Sequence, residues 1–442
     1  MSGNSRITRR GLLGGAAVGS AAAALGTSRL SETLAAKSAP AFLQETEKLT
    51  YWGGLIFSDE ANSLLEDTIN AWGEENGVET EVVMINQNET VQRVSAAVES
   101  GTMPSALDMG LDLQLLLTNT EQLIDLEDVY TAIGEAHGGW YPSLESASML
   151  AGARTGVPFG PSGNLLFSRR DVLEEAGLAV PPTTWQELRE SSAAAQDPPL
   201  YGMGLALSNV GDGNTMMSVM QSYGGRIADD EGTTVTIVSE ETRDFMEWVT
   251  GAYEEGLFPP GATTWDGAGD NTAYQSGQAI FIANTGSVHL ALQEDDPELD
   301  AATHFSALPA GPVSLVSPVN VSGIRTIPVS TADVDTAKAL IEYLANPEFM
   351  EAYYNVAIYG PALQGYESFP VFTEPVHAGL LNLVKNGTAP GAPDVYNTAY
   401  ADLSANFIIP KMIQRVVIDG MSIDDAMAEA QEQGQLIYDK YN

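Results

Sequence analysis

The chain has no cysteine, and its basic residues and histidines are few for a length of 442 residues. The absence of cysteine excludes disulfide bonds, a thiol nucleophile and cysteine-ligated metal sites. Lys and Arg total 19 against 59 Asp and Glu, which gives a formal net charge of −40. Because a surface of that sign repels nucleic acids and anionic lipids, we expect neither as a partner.

The common catalytic signatures are also missing from the sequence. It contains no G-x-S-x-G elbow, H-E-x-x-H motif, P-loop or G-x-G-x-x-G motif. The histidines are His137, His289, His304 and His377, and no two of them have the spacing of metal ligands. We therefore predict no catalytic residue, no metal and no cofactor. Acidic residues are so frequent that a carboxylate pair cannot indicate a glycosidase, and a secreted glycan-active hydrolase stays open as an alternative.

The first 40 residues differ in composition from the rest of the chain. Arg6, Arg9 and Arg10 precede a Gly/Ala/Leu-rich run over residues 11–26, and Thr8–Leu13 resembles a twin-arginine export signal. The run falls short of the roughly 20 apolar residues that a spanning helix needs, although an N-terminal anchor is the alternative. We predict an exported protein with a signal region over residues 1–40, located outside the cell, at its surface or in the periplasm.

The acidic residues are spread evenly through the remaining chain. Removing residues 1–40 takes away five bases and one acid, which leaves a charge of −44. An acidic disordered tail does not fit, because 44% of all residues are hydrophobic. At molar salt the Debye length is only about 3 Å, so such a surface is screened there. The composition indicates a salt-adapted secreted protein.

The length and the hydrophobic periodicity predict two α/β domains. About 400 residues exceed one ordinary hydrophobic core. Strands are predicted at residues 49–53, 81–85 and 106–110, with amphipathic helices over residues 59–75 and 90–99 between them. This alternation is typical of a parallel sheet covered by helices.

Local signals mark several later helix starts. Thr184 and Glu187 form the pattern of a capping box, and Ser239 precedes an amphipathic run. Asn346-Pro347 combines a capping residue with a first-turn proline. Three tryptophans at apolar positions of predicted helices are expected in the core: Trp72, Trp185 and Trp248.

Several segments resemble extracellular solute-binding proteins of family 1, the carbohydrate-capturing subunits of ABC importers. They are GVPFGPSGNLLFSRRDVLEEAGLAVPPTTWQEL at residues 156–188, AAVESGTMPSALDMG at residues 96–110 and YQSGQAIF at residues 274–281. The chain departs from the family pattern at Ser105, where an acid is usual, and at Gln122, where glycine is usual. Residues 284–289 read NTGSVH, so an aromatic platform common in relatives is missing.

The resemblance implies a type II periplasmic-binding-protein-like fold, in which two lobes each hold a mainly parallel sheet flanked by helices. Lobe 1 would contain residues 48–157 and 309–350, and lobe 2 residues 158–308 and 351–442. The chain would cross a multi-strand hinge near residues 157, 308 and 350.

The implied function is capture of a mono- or oligosaccharide and delivery to the permease subunits of an ABC importer. ATP hydrolysis would occur on other subunits, so we expect no enzyme, and we expect a monomer that closes by hinge motion. A polyamine or another small solute is an alternative ligand, given the acidity.

A sugar-binding cleft needs aromatic faces and planar polar groups on loops that leave the carboxyl ends of parallel strands. Trp52 ends the first predicted strand, and Trp265 lies in a glycine-rich loop. Most polar candidates have capping or turn formation as the alternative role. The candidate ligand-binding residues are Trp52, Asn86, Asp112, Asn164, Asp212, Asn214, Trp265, Asp266, Asn284, His289, Tyr359 and Tyr396.

Overall fold

The computed structural model describes residues 48–56 and 58–441. The predicted export signal lies outside the described residues. The strands are β1 (Leu49–Leu55), β2 (Thr80–Asn86), β3 (Ala106–Met109), β4 (Val157–Ser162), β5 (Leu165–Arg169), β6 (Tyr201–Met203), β7 (Ala279–Asn284), β8 (Thr303–Ser306) and β9 (Asn320–Thr326).

Helices occupy most of the remaining described chain. They are α1 (Asp59–Asn76), α2 (Gln87–Ser100), α3 (Leu111–Asn119), α4 (Glu127–Ala136), α5 (Pro142–Ser148), α6 (Arg170–Glu175), α7 (Trp185–Ala195), α8 (Thr215–Ser222), α9 (Glu240–Glu254), α10 (Gly269–Gln275), α11 (Ser287–Asp295), α12 (Pro297–Ala302), α13 (Val334–Tyr343), α14 (Pro347–Val356), α15 (Pro375–Asn386), α16 (Thr398–Ala405), α17 (Ile408–Val417) and α18 (Ile423–Tyr438). Short 3₁₀ helices occur at Gly211–Asn214, Gln364–Ser368 and Pro370–Thr373.

The predicted helix caps are present because capping chemistry is local. The Ser239 hydroxyl accepts from the Thr242 N–H at 3.1 Å, and the Asn346 side chain accepts from the Phe349 N–H at 2.9 Å. The Thr184 hydroxyl accepts from the Glu187 N–H at 3.1 Å. The Glu187 carboxylate accepts from the N–H one residue before the cap, at 2.8 Å. The capping box therefore closes one residue earlier than the usual pattern.

The first sheet has the strand order β2-β1-β3-β9-β4. β1 pairs in parallel with β2 and with β3, whereas β9 runs antiparallel to both β3 and β4. Thus β9 alone is reversed among the described strands of this sheet.

The second sheet has the order β6-β7-β5-β8, and here β5 is the reversed strand among those described. In each sheet, the reversed strand is the first strand that follows a passage of the chain from the other sheet. The prediction of an α/β fold with two mainly parallel sheets is confirmed, and the arrangement has the type II character.

The first passage between the sheets occurs at residues 163–164. Gly163 has a φ of +155°, and a Cβ there would lie 2.7 Å from the Pro318 carbonyl oxygen on the returning chain. Only glycine fits such a conformation and such a close approach. The crossing predicted near residue 157 falls at the start of β4, which still pairs in the first sheet.

Two large hydrophobic cores lie around the sheets. One contains residues of α1, α4, α14 and α15 together with the first sheet and one face of the second. The other covers the opposite face of the second sheet with residues of α7, α8, α9, α17 and α18. The crossing predicted near residue 350 thus falls inside α14, within the first core. The exact division into lobes remains a prediction.

The predicted core tryptophans are buried. Trp72, Trp185 and Trp248 are 5%, 0% and 4% exposed, and the last two rings pack edge to face at 5.9 Å. Their assignment to the core is confirmed.

Candidate ligand-binding cleft

A cleft lies where the carboxyl ends of β1, β3 and β7 meet the beginning of β9. It consists of two adjoining cavities of about 360 Å³ and about 220 Å³. The two cavities share Ile56, Asn320, Ser322 and Tyr359 in their walls, so we treat them as one cleft. Both sheets therefore contribute strand ends to it, as open α/β sheets do at ligand sites.

Aromatic rings form much of the wall of the larger cavity. Phe159, Tyr353, Tyr359 and Tyr396 all line it. The rings of Tyr353 and Tyr359 are nearly parallel at 6.3 Å, and Phe159 meets Tyr359 edge-on at 6.4 Å. These rings offer flat apolar faces together with phenolic hydroxyls, a combination suited to a ligand with both C–H and O–H groups.

Hydrogen-bonding groups stand beside the rings. Asp112 lies in the first turn of α3 and accepts a hydrogen bond from the Tyr396 hydroxyl. A carboxylate at that position is favoured by the helix dipole. Asn320 and Ser322 lie on β9, and the Ser322 hydroxyl is 3.2 Å from that of Ser162. The described lining includes no lysine, arginine or histidine.

A buried acid lies at the floor of the larger cavity. Asp108 on β3 is 7% exposed and accepts a hydrogen bond from the Tyr51 hydroxyl on β1. Arg325 is 1% exposed and lies directly opposite Asp108 in the β3–β9 register. Burial raises the pKa of Asp108 to about 6, while the Arg325 charge and the Tyr51 hydroxyl act in the other direction.

Of the twelve candidates from the sequence, the cleft contains Asp112, Tyr359 and Tyr396. They come from α3, from the segment after α14 and from the segment before α16. The structure therefore brings together residues that are more than 280 positions apart.

Trp52 lies on the other face of the first sheet. Its neighbour Tyr51 shares a face with Asp108, since Tyr51 pairs with Ala106 and side chains alternate along a strand. Trp52 packs instead against a small cluster that includes Leu107 and Met109. Trp52 therefore has a packing role in the structure and is not in the described lining of the cleft.

Asn284 and His289 are not in the described lining of the cleft, and both have structural partners. The Asn284 side-chain oxygen accepts from the Gly286 N–H at 3.1 Å and from the Ser287 hydroxyl at 3.2 Å, which fixes the turn before α11. The His289 Nδ1 is 2.6 Å from the Asp300 carboxylate, and both line a separate cavity of about 650 Å³.

Two more polar candidates, Asn164 and Asn214, link separate segments through hydrogen bonds, and a third, Asp212, lies in the same region. The Asn164 amide donates to the Thr215 hydroxyl at 2.9 Å, and the Asn214 amide donates to the Ser404 hydroxyl at 3.0 Å. Asp212 is half-buried, and burial raises its pKa. None of the three lines the cleft as described.

The remaining candidates also lie away from the described lining. Trp265 is half-buried, and an added Cβ on either Gly261 or Gly269 would collide with its ring, so the ring is held between two glycines. Asp266 accepts from the Ala268 N–H at 3.1 Å in the same loop. Asn86 is the last residue of β2 and is exposed.

Sequence reasoning missed Asp108, Asn320, Ser322 and Tyr353. Asp108 could have been noticed in the sequence, because it stands inside the apolar strand ALDM and an acid is rarely buried unless it is paired. Tyr353 lies at a core-facing position of α14, and Asn320 and Ser322 begin a strand that reaches the first sheet from the second. No local pattern marks these three as cleft residues.

Two further observations concern metal binding and membrane crossing. Among the described residues, no group of three or more His, Asp or Glu side chains is arranged to hold a metal ion. Within the same part of the chain, no helix combines the length and the apolar character that a membrane crossing requires.

Comparison with known proteins places the chain in a family. A profile described as "bacterial extracellular solute-binding protein" matches residues 67–379, more than half of the chain. The chain therefore belongs to the bacterial extracellular solute-binding proteins, a family of exported binding proteins.

Individual relatives are distant. A binding protein of Brucella abortus is 23% identical over 268 residues, which cover 58% of this chain and 62% of the relative. A Thermotoga lettingae ABC-transporter solute-binding protein, solved with alpha-D-tagatose, is 18% identical with a TM-score of 0.71 and covers 88% of this chain and 99% of its own. The sugar-binding protein MalE of Xanthomonas citri is 17% identical with a TM-score of 0.76, covering 89% and 98%. The structural matches show the shared fold.

Proposed function

We propose that this protein captures a small carbohydrate outside the cytoplasm and delivers it to the permease of an ABC importer. The observation that carries the proposal is the cleft between the two sheets, with tyrosine rings beside carboxylate, amide and hydroxyl groups and no basic side chain in its described lining. Such a surface offers acceptors for sugar hydroxyls and faces for sugar C–H groups. The tagatose- and sugar-binding relatives of the same fold support this ligand class.

The size of the cleft favours a monosaccharide or a sugar alcohol over a long oligosaccharide. Its two cavities of about 360 Å³ and about 220 Å³ together stay in the lower half of the range of ligand pockets in general. The sequence also lacks the aromatic platform that many relatives have at residues 284–289.

Binding would occur by closure of two lobes about the crossings near residues 163 and 306–320. A contact that already links the two sides is the Asn119 amide of α3, which donates to the Thr398 hydroxyl of α16 at 2.8 Å. The Tyr396–Asp112 hydrogen bond lies next to it. Such contacts can hold lobes together around a ligand.

The first test is a thermal-shift screen of the full chain in molar KCl against monosaccharides, sugar alcohols, oligosaccharides and polyamines. A ligand at 100 times its Kd should stabilise the protein by about 2.7 kcal/mol. Isothermal titration with Asp112→Asn should then show weaker binding. The matched control is Asp244→Asn, since Asp244 is an exposed acid on α9, away from the cleft. No shift with any carbohydrate would refute the proposed ligand class.

A hydrolase is the second candidate, because Asp108 and Asp112 line the same cavity and one of them has a raised pKa. Turnover of reporter glycosides that disappears in Asp108→Asn would establish it. Binding without turnover supports the transport function, in which the chain is not an enzyme.

A further inference from the structure

The floor of the larger cavity holds a buried carboxylate whose neighbour in the strand register is a buried guanidinium, an arrangement that the family comparison does not assign. Tyr51, Asp108 and Arg325 come from three adjacent strands of the first sheet, and their side chains lie on the same face. Besides the Tyr51 hydroxyl, which donates to the Asp108 carboxylate, the Gly54 backbone N–H acts to lower the pKa of this acid. Asp108 itself lines the cavity.

Arg325 lies behind this acid and not in the cavity wall. Its guanidinium carbon is 3.9 Å from the centroid of the Phe159 ring, so the ring covers the cation. Its Nε and Nη2 atoms have no hydrogen-bond partner among the described residues. A buried cation with unfilled donors is costly unless a nearby anion balances it, and Asp108 is the acid directly opposite.

The second acid of the cavity wall, Asp112, is exposed, and the remaining titratable groups that feel the charge of Asp108 are phenols. They are Tyr51 on β1, Tyr353 on α14 and Tyr359 in the segment after α14, all of them buried. Burial raises the pKa of each of these tyrosines, so they are neutral in the pH range where Asp108 titrates. Near neutral pH, the charges at the floor are therefore one carboxylate and one guanidinium.

We propose that Asp108 is a specificity-determining residue that accepts a hydroxyl group from a neutral ligand, and that Arg325 behind it cancels its attraction for cations. This inference rests on the proposed function, and it selects carbohydrates over the polyamine alternative. A polyamine needs carboxylates without a counter-charge, whereas the buried carboxylate at the floor has Arg325 beside it, which leaves the exposed Asp112 as the other acid of the described lining. An O–H donor needs only an acceptor, and Asp108 lines the cavity.

The proposal predicts a defined pH dependence. A ligand hydroxyl that donates to Asp108 binds the ionised acid more tightly than the protonated acid. Because burial raises the pKa of free Asp108 to about 6, affinity is fully present above that pH and falls as the pH drops below it. If only the ionised form binds, Kd rises about tenfold between about pH 7 and about pH 5.

The experiment uses the full chain in molar KCl. D-glucose, D-fructose, D-tagatose, D-mannitol, ribitol and spermidine are titrated calorimetrically at about pH 7.5, and the tightest-binding carbohydrate is titrated again from about pH 5 to about pH 8. Asp108→Asn should bind more weakly, and its Kd should not vary with pH. Tyr51→Phe keeps the ring but removes a donor to the carboxylate, so the pKa of Asp108 rises further and affinity is lost at a higher pH than in the wild type.

Tyr274→Phe is the matched control. Tyr274 is also fully buried, but its hydroxyl is 2.9 Å from that of Thr303 near the second sheet. It should leave the pH profile unchanged, and circular dichroism should show that all variants are folded. A carbohydrate Kd that stays flat down to about pH 5, or an identical profile for Tyr51→Phe and Tyr274→Phe, would overturn the inference while leaving carbohydrate binding intact. Tighter binding of spermidine than of any carbohydrate, or no carbohydrate binding at all, would instead refute the proposed function together with this inference.

Discussion

Replacing Gly163 by alanine should destabilise the protein by several kcal/mol, because two separate costs meet at this residue. Its φ of +155° belongs to a region that residues with side chains rarely adopt, at about 1–3 kcal/mol. An added Cβ would also lie 2.7 Å from the Pro318 carbonyl oxygen and 2.8 Å from a methyl carbon of Leu383. Overpacking of this kind costs about 1–3 kcal/mol, so the sum is about 2–6 kcal/mol.

Two other glycines separate these costs. Gly177 has a φ of +71° with no atom within 4 Å of an added Cβ, so Gly177→Ala should show the backbone cost alone, about 1–2 kcal/mol. Gly267 has neither a positive φ nor a close neighbour, and Gly267→Ala should stay within about 0.5 kcal/mol of the wild type.

The measurement is urea-induced unfolding of the three variants at a fixed KCl concentration, followed by circular dichroism and compared through midpoints at equal slopes. We expect the order Gly163→Ala, Gly177→Ala, Gly267→Ala from least to most stable. If Gly163→Ala were as stable as Gly177→Ala, the chain at Pro318 would have moved to make room for the added methyl group. The reasoning that a close approach of the two crossing segments requires glycine at residue 163 would then be refuted.

Two further predictions concern charge. Raising KCl from about 0.1 M to about 2 M should raise the thermal unfolding midpoint, because salt screens the self-repulsion of a chain with far more acids than bases. An unchanged midpoint in a salt titration would contradict the interpretation of the protein as salt-adapted. Asp394→Asn should cost about 3–5 kcal/mol, since the fully buried Asp394 side chain accepts from Arg226 at 3.0 Å and from the Ile227 and Ala228 N–H groups at 3.1 Å. The same variant should weaken ligand binding by loosening nearby Tyr396, and calorimetry showing full affinity in the folded variant would contradict that link.

Secondary structure could be predicted from the sequence where the deciding interactions are local. Ser58, Ser239 and Ser422 cap helices with hydroxyls that reach a backbone N–H three residues away, so a short window contains all the information. The α/β alternation over residues 49–110 is likewise a local pattern of hydrophobic spacing.

The site was harder to predict, because its residues meet only through strand pairing and through packing between distant segments. Tyr51 and Trp52 are adjacent and both aromatic, but alternation places them on opposite faces, and the sequence does not say which face meets the cleft. Arg325 opposes Asp108 through a register between strands more than 200 residues apart. The polar residues at strand ends that were predicted instead, such as Asn284, serve turns, as this residue type often does.

The place of β9 in the first sheet sets a limit on when that sheet can be completed during synthesis of the protein. β9 ends at residue 326 of 442 and lies between β3 and β4, so about three quarters of the chain must exist before that sheet can close. Until then one edge of β3 has no partner, and an open strand edge invites pairing with other chains. A cell that makes this protein must keep that edge covered while the second sheet is still being synthesised.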